Sequence, residues 1–165
     1  FLGFNIRTYK DKLLIKPADK RIKRFGQKIK DVFEKNKAAD AATLINKLNP
    51  ILRGWANYYK HCCCSRTFSK LNSWVWEKLW RWARRRHSNK SAKWLKRKYF
   101  TRIGKNNWCF YGTDKIGKRQ ILMRMSDVKF TEYTKIRNNV NPFEPKDGEY
   151  LGKRKERFSR SKKKP

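Results

Sequence analysis

Apolar and polar positions follow one another along this chain in a spacing that changes from strand-like to helical within the first two dozen residues. Phe1-Leu-Gly-Phe-Asn-Ile6 and Leu13-Leu-Ile15 are short apolar runs flanking the polar Tyr9-Lys-Asp-Lys12, a pattern that predicts a β-hairpin. From Pro17, which stands where a first helical residue would, Ile22, Phe25, Ile29, Val32 and Phe33 recur at helical spacing. Lys20, Arg24, Lys28 and Lys35 occupy the opposite face. Asp40 is placed to cap a short helix reaching Leu48, with Leu44, Ile45 and Leu48 inward. Asn49 followed by Pro50 reads as a second cap and a restart, so another main helix is expected to run to about His61. In it Leu52, Trp55 and Tyr59 share one face and leave Arg53, Asn57 and Lys60 to meet something polar.

Thr67 is the expected cap of a third main helix, whose Phe68, Leu71, Val75, Leu79 and Trp82 fall within a third of the circumference. Trp76 and Trp80 lie on a flank that such a core does not need. Either a further element covers them, the ordinary outcome, or a base or sugar does. A short helix is expected over residues 93–99, and residues 107–111 and 120–125 read as paired strands joined by a polar loop at 112–117. From Asn138 onward Pro142, Pro145 and Gly148 break regular structure, and residues 152–165, dominated by Lys and Arg, are expected to be disordered when free. The chain shows no internal repeat. The expected fold is mainly α: a basic three-helix bundle with an N-terminal β-hairpin, a small C-terminal β-hairpin and a disordered basic tail. The expected divisions are 1–16, 17–103, 104–130 and 131–165.

A chain of 165 residues suits one domain of ordinary size with room for an appendage, and 38% hydrophobic with 15% aromatic residues is enough for a core. Charge changes the picture. The 45 Lys and Arg oppose 13 Asp and Glu, for a formal net charge of +32. Self-repulsion of that size disfavours compaction unless a polyanion relieves it, and solvated basic faces account for only a few units. No run of about 18 apolar residues is present to span a bilayer, and nothing at the N-terminus reads as a signal peptide, so no membrane partner is expected. Cys62, Cys63, Cys64 and Cys109 do not make a staple for a secreted fold, which favours a bacterial cytoplasm or an organelle interior. The first residue is not Met, and two strands alone are marginal in water, so the hairpin is expected to belong to a larger sheet lying upstream.

Between Lys78 and Gly112 there is no acidic residue. Arg81, Arg84, Arg85, Arg86, Lys90, Lys93, Lys96, Arg97, Lys98, Arg102 and Lys105 fill that window beside Trp80, Trp94, Tyr99 and Trp108. Cations interleaved with rings offer phosphate contacts and stacking platforms, each stacked base contributing roughly 1–3 kcal/mol. If about 6–10 phosphates are met, affinity falls by roughly three to five decades between 50 and 200 mM salt. Composition does not choose between RNA and DNA. His61-Cys-Cys-Cys64 lacks a second ligand pair at metal-binding spacing and reads as small thiols at a helix terminus. Cys109 reads as strand packing. His87 follows arginines that disfavour its protonated form and has no carboxylate nearby to orient it, so it reads as a surface or RNA-contacting residue. Asp11, Asp19, Asp31, Asp40, Glu77 and Asp114 are scattered, whereas two-metal phosphoryl transfer needs clustered acids. A Walker loop and a nucleophile elbow are missing. No catalytic residue and no metal site are assigned.

At Leu48-Asn-Pro-Ile-Leu-Arg-Gly-Trp-Ala-Asn-Tyr-Tyr59, at residues 74–87, and at Asn89-Lys-Ser91 with Tyr99-Phe100, the chain closely resembles the maturase-specific region of group II intron-encoded reverse transcriptases. That region is also called domain X or the thumb. Phe1, Leu2, Gly3 and Phe4 resemble the family's primer-grip hairpin at the edge of the palm. Trp108-Cys-Phe110 resembles the aromatic strand that follows, and Asn141-Pro-Phe143 with residues 150–154 the start of its DNA-binding segment. The resemblance implies a thumb of three roughly parallel helices beside a palm. It implies two uses: holding intron RNA in its splicing-competent form, and gripping a template–primer duplex during DNA synthesis. The family's Tyr-x-Asp-Asp motif, with its Mg2+, and an endonuclease module with His and paired-Cys ligands do not occur in this sequence.

The sequence therefore points to a noncatalytic RNA-binding module. The expected phosphate contacts are Lys20, Arg24, Lys28, Arg53, Lys60 and the cations from Arg81 to Arg102; the expected partners are group II intron RNA, a template–primer duplex, and the palm and fingers of a parent polymerase. Two alternatives stand beside it: half of a split RNA-directed DNA polymerase, and a general basic DNA-binding protein.

Overall fold

The computed structural model describes residues 2–10, 12–131, 136, 137, 139–141 and 143–163, with backbone alone for 12 and 157–163. Phe1, Asp11, Asn138, Pro142 and Pro165, all used above, lie outside the described residues. The chain divides into two units, Phe1–Glu132 and Tyr133–Pro165.

Strands β1 (Phe4–Tyr9) and β2 (Lys12–Pro17) pair antiparallel, from Phe4↔Pro17 to Tyr9↔Lys12. Pro17 closes β2 instead of opening a helix. Its missing N–H costs nothing at a strand end, and the chain turns one residue later, where the Ala18 N–H donates to the Gly3 carbonyl at 2.9 Å. Helix α1 (Asp19–Lys35) follows, burying Phe25, Ile29 and Phe33.

Helix α2 (Ala41–Tyr59) is capped by Asp40, whose carboxylate accepts from the Thr43 N–H at 3.1 Å and the Thr43 hydroxyl at 2.6 Å. These bonds, the Thr43 hydroxyl first, hold the Asp40 carboxyl below its ordinary pKa. The expected break at Asn49-Pro50 is absent: α2 runs through Pro50 without interruption. A proline inside a helix costs about 3 kcal/mol, and here it sits on the exposed face, where water can reach the carbonyl of Asn46 left without its N–H donor. Leu44, Ile45, Leu48, Leu52 and Ala56 form one buried stripe across the proline and hold the two halves in line. Asn49 caps nothing. Its carboxamide holds another segment, donating to the Ile121 carbonyl at 2.9 Å and accepting from the Met123 N–H at 2.8 Å.

Helix α3 (Ser65–Arg86) starts before Thr67, with Cys64 as its N-cap residue. The linker from α2 is short and tied at both ends: the Cys63 N–H donates to the Ile15 carbonyl, and the Phe68 N–H to the Cys64 carbonyl at 2.8 Å. The helix therefore begins as soon as the chain leaves the turn. Phe68, Leu71, Val75, Leu79 and Trp82 are buried as their spacing predicts. Ser91 caps α4 (Ala92–Tyr99), accepting from the Trp94 N–H at 3.3 Å.

The paired strands of the C-terminal region become three: β3 (Phe100–Ile103), β4 (Asn106–Thr113) and β5 (Arg119–Ile121), antiparallel in that order. β3 leaves α4 without a linker. β5 ends at Ile121 because Asn49 captures the backbone beyond it; Met125, fully buried, then enters a 3-10 turn (Met125–Asp127) with its N–H on Asn72 Oδ1 at 3.0 Å. A bulge offsets β3 and β4, and Trp108 within it takes a left-handed φ of 61°. Gly112 of β4 crosses the start of α2 so closely that a Cβ there would lie 2.5 Å from the Ala42 nitrogen. Asp114 organises the β4–β5 loop, accepting from Ile116, Lys118 and Gln120.

A continuous core of residues from α1, α2, α3, α4, β3, β4 and the 3-10 turn joins these elements. The fold is α-rich with small sheets, as expected. In the second unit, helix α5 (Gly148–Lys163) occupies the stretch expected to be disordered. No Pro interrupts it after Pro145, its Lys, Arg and Glu are good helix formers, and Glu149 pairs with Lys153 one turn on. Arg137 stacks over the Tyr150 ring at 5.0 Å.

Candidate nucleic-acid interface

Two basic surfaces emerge from the first unit. The first is a groove of about 510 Å³ between α1 and α2. Arg24 and Lys28 line it from α1 together with Arg21, and Pro50, Gly54 and Tyr58 line it from α2. One end is closed by the hairpin. Gly3 takes a φ of 86°, and its carbonyl accepts from the Tyr59 hydroxyl at 3.1 Å; the Leu2 carbonyl accepts from the Tyr58 hydroxyl at 2.9 Å. Phe4 stacks on Tyr58 with ring centroids 5.4 Å apart and meets Tyr59 edge-on at 5.1 Å. Of the residues that resemble a primer grip, Leu2, Gly3 and Phe4 are thus fixed to the end of α2 by its two tyrosines.

The second is a set of exposed cations on α3 and α4. Arg81, Arg84 and Arg85 are exposed along α3, and Lys93, Lys96 and Arg97 along α4. Lys96 Nζ sits 4.4 Å above the Trp108 ring, and Lys98 Nζ 4.7 Å above Trp94. Such contacts are worth about 0.5–1 kcal/mol at exposed sites and keep the ammonium groups beside their rings.

The rings differ in what they can offer. Trp76 and Trp80 stack at 5.7 Å, planes 8° apart, and both pack on Phe100 and Trp108. The flank of α3 is therefore covered by β3 and β4, elements the sequence reading had no β3 to supply. The Trp76 Nε1 is buried with no hydrogen-bond partner. Tyr99, expected as a stacking platform, is buried against Trp82 and Phe110 and offers no face to a base. Trp108 keeps 40% of its surface exposed.

His87 Nε2 lies 2.7 Å from the Tyr99 hydroxyl, and its ring meets Trp94 edge-on at 4.8 Å. Burial first, then the charges of Lys98, Arg86 and Lys90, lowers its pKa below the ordinary 6.5. Neighbouring cations act in the direction the sequence suggests, but packing outweighs them. Cys62 and Cys64 are buried, and both thiols donate to the Tyr59 carbonyl at 3.1 Å. Burial raises both, Cys62 to about 12. Cys63 is exposed and Cys109 is buried in β4.

Not every expected contact is available for phosphate. Arg86 Nη1 donates to the Ala38 and Ala39 carbonyls at 3.0 and 2.7 Å while its guanidinium covers Trp82. Arg102 Nε donates to the Gly104 carbonyl. Lys20 and Arg53 are exposed on α1 and α2 but do not line the groove, and half-buried Lys60 ends α2. Arg21 was missed because it falls between the cationic stripe and the apolar face; its position beside Gly3 depends on the hairpin folding back.

Among the described residues no three of His, Cys, Asp and Glu come together to hold a metal ion, so the donor set of a two-metal centre is not found there. No helix of the described residues is long and apolar enough to cross a membrane.

Taken together, the fold and its surfaces define an α-rich basic module in which aromatic packing displays cations on α1, α3 and α4. Residues 22–100 match the family model of the group II intron maturase-specific domain. A comparison with curated proteins found no match.

Proposed function

We propose that this chain is an RNA-binding module that holds group II intron RNA in its splicing-competent form, acting as the thumb of a reverse transcriptase. The observation that carries the reading is that the family match, residues 22–100, takes in the exposed cations of α1 and most of the acid-free stretch between Lys78 and Gly112. Helices α1, α2 and α3 correspond to the three helices of a thumb. The core shared by α1, α3 and α4 holds the exposed cations of these helices, among them Arg24, Lys28, Arg84, Arg85, Lys93 and Arg97, at fixed separations, a requirement for gripping folded RNA rather than any polyanion. The mechanism is binding: cations neutralise phosphates, and half-exposed rings such as Trp108 and Trp94 set register.

The hairpin supports the second use implied by the family. Ile6 and Leu13, which the register places on one face of the hairpin, expose 50% and 60% of their surface and would gain by being covered in a larger sheet such as a palm. There Leu2, Gly3 and Phe4 would position a primer end. Magnesium chemistry would be supplied by such a palm; this chain's residues bind and orient.

Competition between folded intron RNA and duplex DNA of equal length, at about 150 mM salt, tests the reading. Preferential retention of the intron RNA is expected. Equal displacement by DNA would reduce the protein to a general basic binder.

A further inference from the structure

Gly54 stands in the middle of α2, on the floor of the α1–α2 groove, one turn beyond Pro50. These are the two residue types a helix interior tolerates least. Neither is forced by packing. Both are exposed, and a Cβ added at Gly54 would meet nothing within 4 Å. An alanine would fit, and the helix would be more stable for it. Space at Gly54 therefore serves something outside the chain. One wall of the groove carries Arg21, Arg24 and Lys28 with no acid in its lining; at the far edge Tyr58, 53% exposed, ends the stack begun by Phe4. A volume of about 510 Å³ is within the range of ligand sites and suits a short length of strand.

We infer that a single RNA strand runs along this groove, its phosphates on Arg21, Arg24 and Lys28 and its sugars against the bare backbone at Gly54, with a base stacked beside Tyr58. Resting on the RNA-binding reading above, this deepens it by giving the strand a path. Glycine at position 54 removes the side chain that would hold the sugar–phosphate chain away from the cations, and the helix gives up stability in exchange. A surface glycine without such a role would gain from substitution and lose nothing.

The test measures melting temperature and affinity for a labelled oligouridine of about 12 nucleotides on the full chain, comparing wild type, Gly54→Ala, Gly54→Leu and the control Gly26→Ala. Gly26 is also helical, in α1, and has ordinary room for a Cβ, 3.8 Å from Trp74, outside the groove. Each variant is also made in an Arg84→Gln/Arg85→Gln background, so that binding through α3 does not mask the groove. Gly54→Ala is expected to melt about 2–4 °C higher and to bind RNA more weakly. Gly54→Leu should lose about tenfold in affinity while Gly26→Ala binds like wild type. If Gly54→Leu does not fold, Gly54→Ala alone decides. Gly54 variants that bind as wild type in both backgrounds overturn the strand path but leave RNA binding standing. A wild-type chain that fails to bind the oligouridine also overturns the strand path, whereas only failure to retain folded intron RNA, measured on the same preparation, overturns the RNA-binding reading.

Discussion

Asn49 and Met123, far apart in sequence, are joined by a hydrogen bond of 2.8 Å from the Met123 N–H to Asn49 Oδ1, while Asn49 Nδ2 donates to the Ile121 carbonyl two residues earlier. One carboxamide on α2 thereby ends β5 and directs the chain toward the buried Met125. Replacing Asn49 by Ala removes both bonds and leaves a half-buried N–H unpaired, at about 1 kcal/mol each. We expect Asn49→Ala to lose about 2 kcal/mol in urea denaturation, with faster amide exchange at Ile121 and Met123. Unchanged stability would mean that apolar packing alone seats this segment.

The same pair shows where local sequence reasoning stops. Asn-Pro is a strong cap signal when only neighbours are considered, and it is overruled because the carboxamide's partners lie 72 and 74 residues away. The core was legible: Leu44, Ile45, Leu48, Phe68, Leu71, Val75 and Leu79 are buried as a single-face period requires, since burial follows helical geometry with little tertiary correction. The basic surface was legible as composition, but not in detail. Arg84 and Arg86 look alike in sequence, yet Arg86 is occupied by backbone carbonyls of the α1–α2 turn. Arg21 joins the groove only once Gly3 and Tyr59 bring the hairpin back, a contact no periodicity encodes.

Gly112 is a second point at which β4 and α2 meet, here through absence of a side chain. A Cβ at this position would lie 2.7 Å from both the carbonyl carbon and the Cβ of Ala41, and 2.5 Å from the Ala42 nitrogen. Those are backbone atoms or atoms rigidly attached to backbone, so relief requires the strand or the helix start to move. Gly112→Ala is expected to cost about 1–3 kcal/mol in chemical denaturation, and Gly112→Val more. A neutral Gly112→Ala would show that β4 shifts freely over α2.

His87 gives the fold a pH dependence of defined sign. Its pKa is lowered from 6.5 in the folded chain, so between 6.5 and the folded value the unfolded chain binds more protons. Stability is therefore full above 6.5 and declines as pH falls through that window. Asp40 and Glu34, lowered from 3.8 and 4.5, act only in a more acidic range and do not blur the effect. The urea midpoint should fall between about pH 7.5 and pH 5.5 in wild type and fall less in His87→Asn. Parallel profiles for the two proteins would assign the decline to another group.

Arg84, Arg85 and Arg86 separate recognition from stability within one turn of α3. Arg84 and Arg85 are exposed and, in the reading proposed above, meet phosphates. Arg86 donates to the Ala38 and Ala39 carbonyls and covers Trp82 at 5.4 Å, so it ties the end of α3 to the turn between α1 and α2. Arg84→Gln/Arg85→Gln is expected to lower the slope of log affinity against log salt by about 2, one unit per lost phosphate contact. Its stability should stay within about 0.5 kcal/mol of wild type, as for surface substitutions generally. Arg86→Gln should do the reverse, losing about 1–2 kcal/mol of stability through its hydrogen bonds and ring contact. Its salt slope should hold in conditions where the chain remains folded. Filter binding of intron RNA across a salt series, beside urea denaturation of the same preparations, reads both quantities. An undiminished slope in Arg84→Gln/Arg85→Gln would remove α3 from the RNA interface, and an unaffected stability in Arg86→Gln would mean that the α1–α2 turn is held by its own packing.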